Sequence, residues 1–301
     1  MSFVAVRDVQ VPALGLGTAR LRGEVARRIV SYALEIGYRH IDTAQGYRNE
    51  AAVGEAIRGS AVPRSDIWLT TKIGPARFRA GDLQRALDQS LRRLGTEPDL
   101  LLLHWPSPTI PLRETIGALN EVKRRGLTKH TGVSNFTVAL LREALALTTE
   151  LLLVNQVEYH PYLSQRSVIE ATRAGGMALV AYSPLARGRV FRDRRLGAIG
   201  ERYGKTAGQV ALRWLLQQDG VIAIPRSSRE AHAKANLEVH DFELTPAEMA
   251  TVGAEASPRG RLIDPPWLAP DWDDLEGARP VRREVTRVVR TLVALARGYL
   301  R

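Results

Sequence analysis

The sequence contains no cysteine, an absence that excludes disulfides, thiolate metal centres and cysteine nucleophiles together. The opening MSFVAVRDVQVPALG has no apolar run of signal-peptide or transmembrane length, so a cytoplasmic protein is the expectation. No G-x-G-x-x-G follows an early strand; LGLGT (14–18) has the wrong spacing and leads into no immediate helix, which argues against a doubly wound sheet. The six histidines form neither HExxH nor a close pair, so no metal site is expected. No linker or internal repeat divides the chain, and no paired-carboxylate signature is present.

What is there is ordinary globular material, 45% hydrophobic and 25% charged over 301 residues, enough for two domains or one large α/β barrel. The net charge of +11 looks like a nucleic-acid footprint. Its source says otherwise: after Ala278 seven arginines face one acid, Glu284, and the body is only mildly basic. Nucleic-acid binding is therefore not expected.

The chain alternates. Phe3 to Val6 and Val9 to Val11 suit a leading hairpin. Strand-like runs follow at Ala13–Thr18, His40–Ala44, Ile67–Ile73, Leu100–Trp105, His130–Asn135, Leu152–Glu158, Ala178–Pro184 and Val221–Arg226. Between them lie helical spacings, such as Leu83, Leu87, Leu91 and Leu94, or Leu112, Ile116, Leu119 and Val122 before Gly126. Eight strands alternating with helices predict a (β/α)8 TIM barrel over 1–273, with 274–301 as a basic C-terminal extension.

Chemistry in such a barrel sits at the C-terminal strand ends. Those ends carry Thr18, Asp42, Lys72, His104, Ser134 with Asn135, Gln156, Tyr182 with Ser183, and Arg226. The stretch HIDTAQGYRNEAAVG (40–54) sets Asp42 and Tyr47 on either side of one strand-to-helix loop, with the helix opening near Asn49. Each residue has a plainer reading: Asp42 as a cap, Tyr47 as an anchor, Lys72 as a rim charge, His104 as a satisfied core side chain. Together they suit carbonyl reduction. A phenol of ordinary pKa near ~10 is a poor donor at neutral pH, and a nearby ammonium lowers that value. Lys72 supplies the charge, Asp42 holds it, Tyr47 gives the proton, and His104 polarises the carbonyl oxygen.

The words LGLGT (14–18), DTAQGYRNEAAVG (42–54), TTKI (70–73), LLLLHWPSP (100–108), GVSNF (132–136), NQVEYHPYL (155–163), AYSPLARG (181–188) and IPRSS (224–228), in this order, resemble the aldo-keto reductase superfamily. The likeness is strongest to the bacterial 2,5-diketo-D-gluconate reductase group and covers roughly Val9 to Asp273. It implies an NAD(P)H-dependent oxidoreductase with Asp42, Tyr47, Lys72 and His104 as the catalytic four. It also implies cofactor contacts. Gly17 and Thr18 would touch the cofactor, Ser134, Asn135 and Gln156 its nicotinamide amide, with Tyr182 stacked on the ring. Ser183, Pro184, Leu185, Arg187 and Gly188 reach the pyrophosphate; Pro225, Arg226, Ser227, Ser228, Arg229, His232 and Asn236 reach the adenosine end. Backbone donors and Arg226 supply phosphate ligands without a Gly-rich turn.

The chain departs from that pattern. Ala19 and Gly74 stand where bulky aromatics are expected in the substrate pocket, leaving Trp105 as one aromatic wall and Leu262–Trp272 as a loop able to refill the space. Arg226 replaces a lysine and His232 an arginine, so NADPH is expected as the cofactor, with NADH usable. The family pattern ends near Asp273; beyond it, Val285, Val288, Val289, Leu292, Val293, Ala296 and Leu300 mark one helix face. That helix is expected to pack on the barrel or a second subunit, with contact to an anionic membrane as the alternative. The expected partner is a small carbonyl substrate, on a monomer or weak homo-oligomer. The alternative function is a non-catalytic, cofactor-binding regulatory or partner-binding barrel. An isomerase or hydrolase rests on fold analogy alone.

Overall fold

The computed structural model describes residues 2–273; the amphipathic segment 280–301 lies outside the described residues. Strands β1 (Phe3–Val6) and β2 (Val9–Pro12) form an antiparallel hairpin with Val6 opposite Val9. Eight strands follow: β3 (Leu16–Gly17), β4 (His40–Asp42), β5 (Trp68–Ile73), β6 (Leu100–Leu103), β7 (His130–Ser134), β8 (Leu152–Glu158), β9 (Ala178–Tyr182) and β10 (Val221–Ala223). They pair in chain order as one parallel sheet. Parallel neighbours need a crossover, and helices supply it. The helices α1 (Gly23–Glu35), α2 (Glu50–Arg58), α3 (Asp82–Leu94), α4 (Leu112–Arg124), α5 (Val138–Leu147) and α6 (Arg166–Ala174) follow β3 to β8 in turn. After β9 come α7 (Arg194–Tyr203) and α8 (Ala207–Leu216); after β10 come α9 (Glu230–Leu237) and α10 (Pro246–Gly253).

The sheet closes on itself. Gly15 N–H donates to the Ala223 carbonyl and Gly17 N–H to that of Pro225, both at 2.9 Å, with parallel bridges Leu14–Ala223 and Gly17–Arg226. This seam explains LGLGT. A Cβ on Gly17 would stand 2.8 Å from the Ile224 carbonyl oxygen, and one on Gly15 would stand 2.7 Å from the His40 ring. These glycines permit close backbone approach rather than phosphate binding.

Alternation sorts the core into layers. Leu100 and Leu102 join Val154, Val180, Ile222 and the hairpin residues Val6 and Val11 in one buried cluster. The hairpin therefore plugs the N-terminal end of the barrel. Their neighbours Leu101 and Leu103 pack outward with Leu83, Leu87, Ile116 and Leu119 of α3 and α4. The predicted helix faces are thus the buried ones, with Leu91 and Leu112 partly covered at the margin. Among the described residues no helix is long and apolar enough to cross a membrane.

Candidate active site

With the lower end of the barrel filled by hydrocarbon, polar side chains collect at the C-terminal ends of the strands. Asp42 is the last residue of β4 and Lys72 the fifth of β5, and both side chains are buried, at 2% and 0% exposure. The Lys72 ammonium donates to Asp42 Oδ1 at 2.5 Å and to the Thr43 carbonyl at 2.8 Å. Gln156 on β8 donates its amide to Asp42 Oδ2 at 2.8 Å. β8 and β4 are not neighbours in the sheet, so this bond crosses the barrel interior and fixes the carboxylate from the far wall.

A 3₁₀ turn, Gln45–Tyr47, brings the Tyr47 ring over this pair. The Lys72 ammonium lies 5.1 Å from the ring centroid. His104, just beyond β6, meets Tyr47 edge-on with centroids 5.6 Å apart. Asn135 Nδ2 donates to the His104 carbonyl at 2.9 Å, and its Oδ1 accepts from the Tyr182 hydroxyl at 2.8 Å. These bonds hold Asn135 in a left-handed conformation, φ 64°. Ser134 turns its hydroxyl to the Gln156 carbonyl at 2.8 Å.

The electrostatics of the four differ from the expectation in one respect. The sequence reading has Lys72 lowering the phenol pKa; Lys72 does act downward, but burial of Tyr47 acts more strongly and the net shift is upward. Tyr47 is consequently a neutral phenol that carries its proton throughout the neutral range. Burial alone would depress Lys72, yet Asp42 and Tyr47 outweigh it and the ammonium is stabilised. His104 is pushed down to about 3 by burial and then by the Lys72 charge, so its ring is neutral.

A cavity of about 270 Å³ opens over these groups, lined by Gly17, Ala19, Asp42, Tyr47, His104, Trp105, Ser134, Asn135, Gln156, Tyr182 and Ser183 among others. It runs into a groove of about 560 Å³ lined by Ser183, Pro184, Leu185, Arg187, Gly188, Pro225, Arg226, Ser227, Ser228, Arg229, His232 and Asn236. Every residue expected to hold the cofactor lines one of these spaces except Thr18, which is buried and donates its hydroxyl to the Asp42 carbonyl at 3.0 Å. Ser183, Arg187 and Gly188, which line the groove, and the buried Ala186 between them all have positive φ, from 46° to 93°. Turns of this kind present backbone N–H groups to an anion. Arg187, Arg226 and Arg229 add exposed cations. The groove therefore fits an extended ligand bearing phosphates, with its inner end at Tyr182 and Asn135.

Gly74 lines neither space; its backbone is extended (φ −77°, ψ 156°), and a Cβ there would meet nothing within 4 Å. Three lining residues escaped the sequence reading, Arg20, Phe191 and Ile224; a fourth, Ile263, belongs to the Leu262–Trp272 loop expected to refill the pocket. Arg20 and Ile263 border both cavity and groove. Ile263 is held by Glu158, a buried acid that accepts from the Leu262 and Ile263 N–H groups at 2.9 and 3.0 Å. The carboxylate at the end of β8 was the available signal, since a buried charge requires donors.

A family model described as the Aldo/keto reductase family matches residues 13–255. The chain is similar to a methylglyoxal reductase, DkgB, of Salmonella typhi, 40% identical over 267 residues that cover 87% of this chain and 99% of the relative. Among solved structures it is similar to a putative 2,5-diketo-D-gluconic acid reductase B, with TM-score 0.89, 48% identity, and 91% and 98% of the two chains covered. It is also similar to a Bombyx mori aldo-keto reductase in complex with NADP, with TM-score 0.80, 31% identity, and 87% and 94% covered.

Proposed function

Since this chain belongs to the aldo/keto reductase family, we propose that it reduces aldehydes, ketones or dicarbonyls to alcohols with NADPH, using Tyr47 as the proton donor. The observation that carries this reading is the buried Lys72–Asp42 pair beneath Tyr47 and beside neutral His104, at the floor of one cavity.

Bound NADPH supplies the hydride; the chain's residues do the rest. Tyr182, Asn135, Ser134 and Gln156 would hold the nicotinamide end, and the 183–188 turn with Arg226 the phosphates. Tyr47 gives its phenolic proton to the carbonyl oxygen. His104, neutral, offers a ring N–H to that same oxygen and orients it. Lys72 stabilises the phenolate left on Tyr47, and Asp42, fixed by Gln156, keeps Lys72 charged. Mixing the protein with NADPH and a panel of aldehydes, α-ketoesters and diketones should consume the reduced nicotinamide. Tight NADPH binding without turnover on any of them would remove the reading and leave a binding barrel.

Cofactor choice should follow the Arg226 loop. Ser227 Oγ accepts from the Arg229 N–H at 3.0 Å, shaping a turn that carries two exposed guanidiniums. Arginine is a planar, permanently charged phosphate partner, so NADPH is preferred. His232 brings less permanent charge than the arginine it replaces, so NADH remains usable. Arg226→Ala should cost NADPH about tenfold or more in kcat/KM and NADH little; His232→Arg should sharpen the preference. Equal losses for both cofactors on changing Arg226 would show that the loop does not read the 2′-phosphate.

Ala19 is half-buried and lines the cavity. Ala19→Trp should lower kcat/KM for bulky dicarbonyls about tenfold relative to small aldehydes, the scale of a lost pocket contact. An unchanged ranking would mean that Ile263 and Trp105, not position 19, set the width.

A further inference from the structure

Asn49 occupies the N-cap position of α2, where an asparagine ordinarily turns its side chain to the first free N–H groups of the helix. Here it makes no such bond. Its side chain instead points into the protein, and the residue is 2% exposed. Asn49 Oδ1 accepts from the Thr43 hydroxyl at 2.7 Å, and Nδ2 donates to the carbonyls of Thr18 and Leu21, both at 2.9 Å.

Those partners are informative. Thr43 supplies the carbonyl that receives Lys72. Thr18 and Leu21 bracket Ala19 and Arg20, the two residues of the β3–α1 loop that line the catalytic cavity and the groove. Arg20 is left-handed, φ 64°, a conformation that persists in a non-glycine residue only when its surroundings over-determine it. The Leu21 N–H closes the turn on the Thr18 carbonyl at 3.0 Å, and the Thr18 N–H and hydroxyl anchor its first end to the Asp42 carbonyl at 2.9 and 3.0 Å; the Asn49 amide adds a second tie at Thr18 and carries the Leu21 end to the Thr43 segment. The residue type follows from the demand. Aspartate has no donors, glutamine is one carbon longer, and leucine matches the shape but offers nothing to bond.

We propose that Asn49 is a positioning residue whose buried amide locks the Thr18–Leu21 turn, and so the side chains of Ala19 and Arg20, to the Thr43 segment that receives Lys72. The mouth of the pocket and the proton-donating machinery are then one rigid unit. The inference rests on the reductase reading for its kinetic test only.

Asn49→Asp keeps size and the acceptor for Thr43 but sets an oxygen against two carbonyls. The ratio of kcat/KM between a bulky dicarbonyl and a small aldehyde should change by about fivefold or more, through KM, with a smaller fall in kcat common to both. Amide exchange of the peptide spanning 18–22 should quicken about tenfold, while that of α8 stays unchanged. Thr43→Val, which removes a single hydroxyl, should move both readouts in the same direction by less, and it decides the matter if the aspartate variant does not fold. An unchanged substrate ratio overturns the proposal whatever happens to thermal stability, and so does unchanged exchange at 18–22. If the wild-type protein reduces neither carbonyl, the reductase reading fails and the exchange measurement alone decides whether Asn49 holds the turn.

Discussion

Tyr47→Phe should lower kcat for carbonyl reduction by about 10² or more, the range expected when a general acid is lost, and leave NADPH binding within about twofold. The substitution removes one oxygen and keeps the ring. The edge-on packing against His104 and the contact with the Lys72 ammonium need only that ring, so the cavity retains its shape. The lost oxygen is the one that carries the proton, and burial ensures that the proton is present at neutral pH. The His104 imidazolium loses its proton at about 3, so at neutral pH the ring is neutral, a hydrogen-bond donor but too weak an acid to take over. By the same reasoning no His104 limb should appear in the pH profile of reduction between about pH 5 and about pH 8. Single-turnover rates with a titration of cofactor fluorescence separate chemistry from binding. A kcat within a few-fold of wild type would end the assignment.

Lys72→Met should do two things at once. It leaves the Asp42 carboxylate buried at 2% exposure with the Gln156 amide but no counter-charge, and breaking a buried pair in this way destabilises by about 3–5 kcal/mol. It also removes the charge that pulls the Tyr47 phenol downward against burial. The phenol pKa should then rise further, and the optimum for alcohol oxidation, which needs the phenolate, should move to higher pH. The two effects are separable. Asp42→Asn combined with Lys72→Met removes both charges and should recover much of the stability, as replaced buried pairs do, without recovering turnover. Urea midpoints at constant m-value measure the first effect, and kcat measures the second. Loss of stability with full activity in the single variant would show the pair to be scaffolding.

Much of this was legible in the sequence because barrel strands report their own ends. LLLL before His104 is an apolar run that stops at a polar group, as IWL does before the TTK that ends in Lys72, and chain order fixes which rim that group reaches. What the sequence hides is contact across the barrel. Gln156 reaching Asp42, or Glu158 catching the N–H groups of Leu262 and Ile263, depends on closure of the sheet and not on any local period. Asn49 misleads for a related reason. Its type and place fit a helix cap, and only the tertiary structure offers it three better partners. The Tyr47 shift reversed because the sequence names the charged neighbour but not the depth at which the hydroxyl sits.

Gly74 has a consequence for how this protein can change over generations. Its φ of −77° and ψ of 156° suit any amino acid, and the space its side chain would enter is open. Random substitution at most positions near a catalytic centre is filtered by folding before it is filtered by function. Position 74 escapes the first filter, so successive side chains can be tried there at near-constant stability. The residue directly follows β5, two after Lys72. A lineage carrying glycine here can therefore sample side chains beside the catalytic strand end that a packed position would reject.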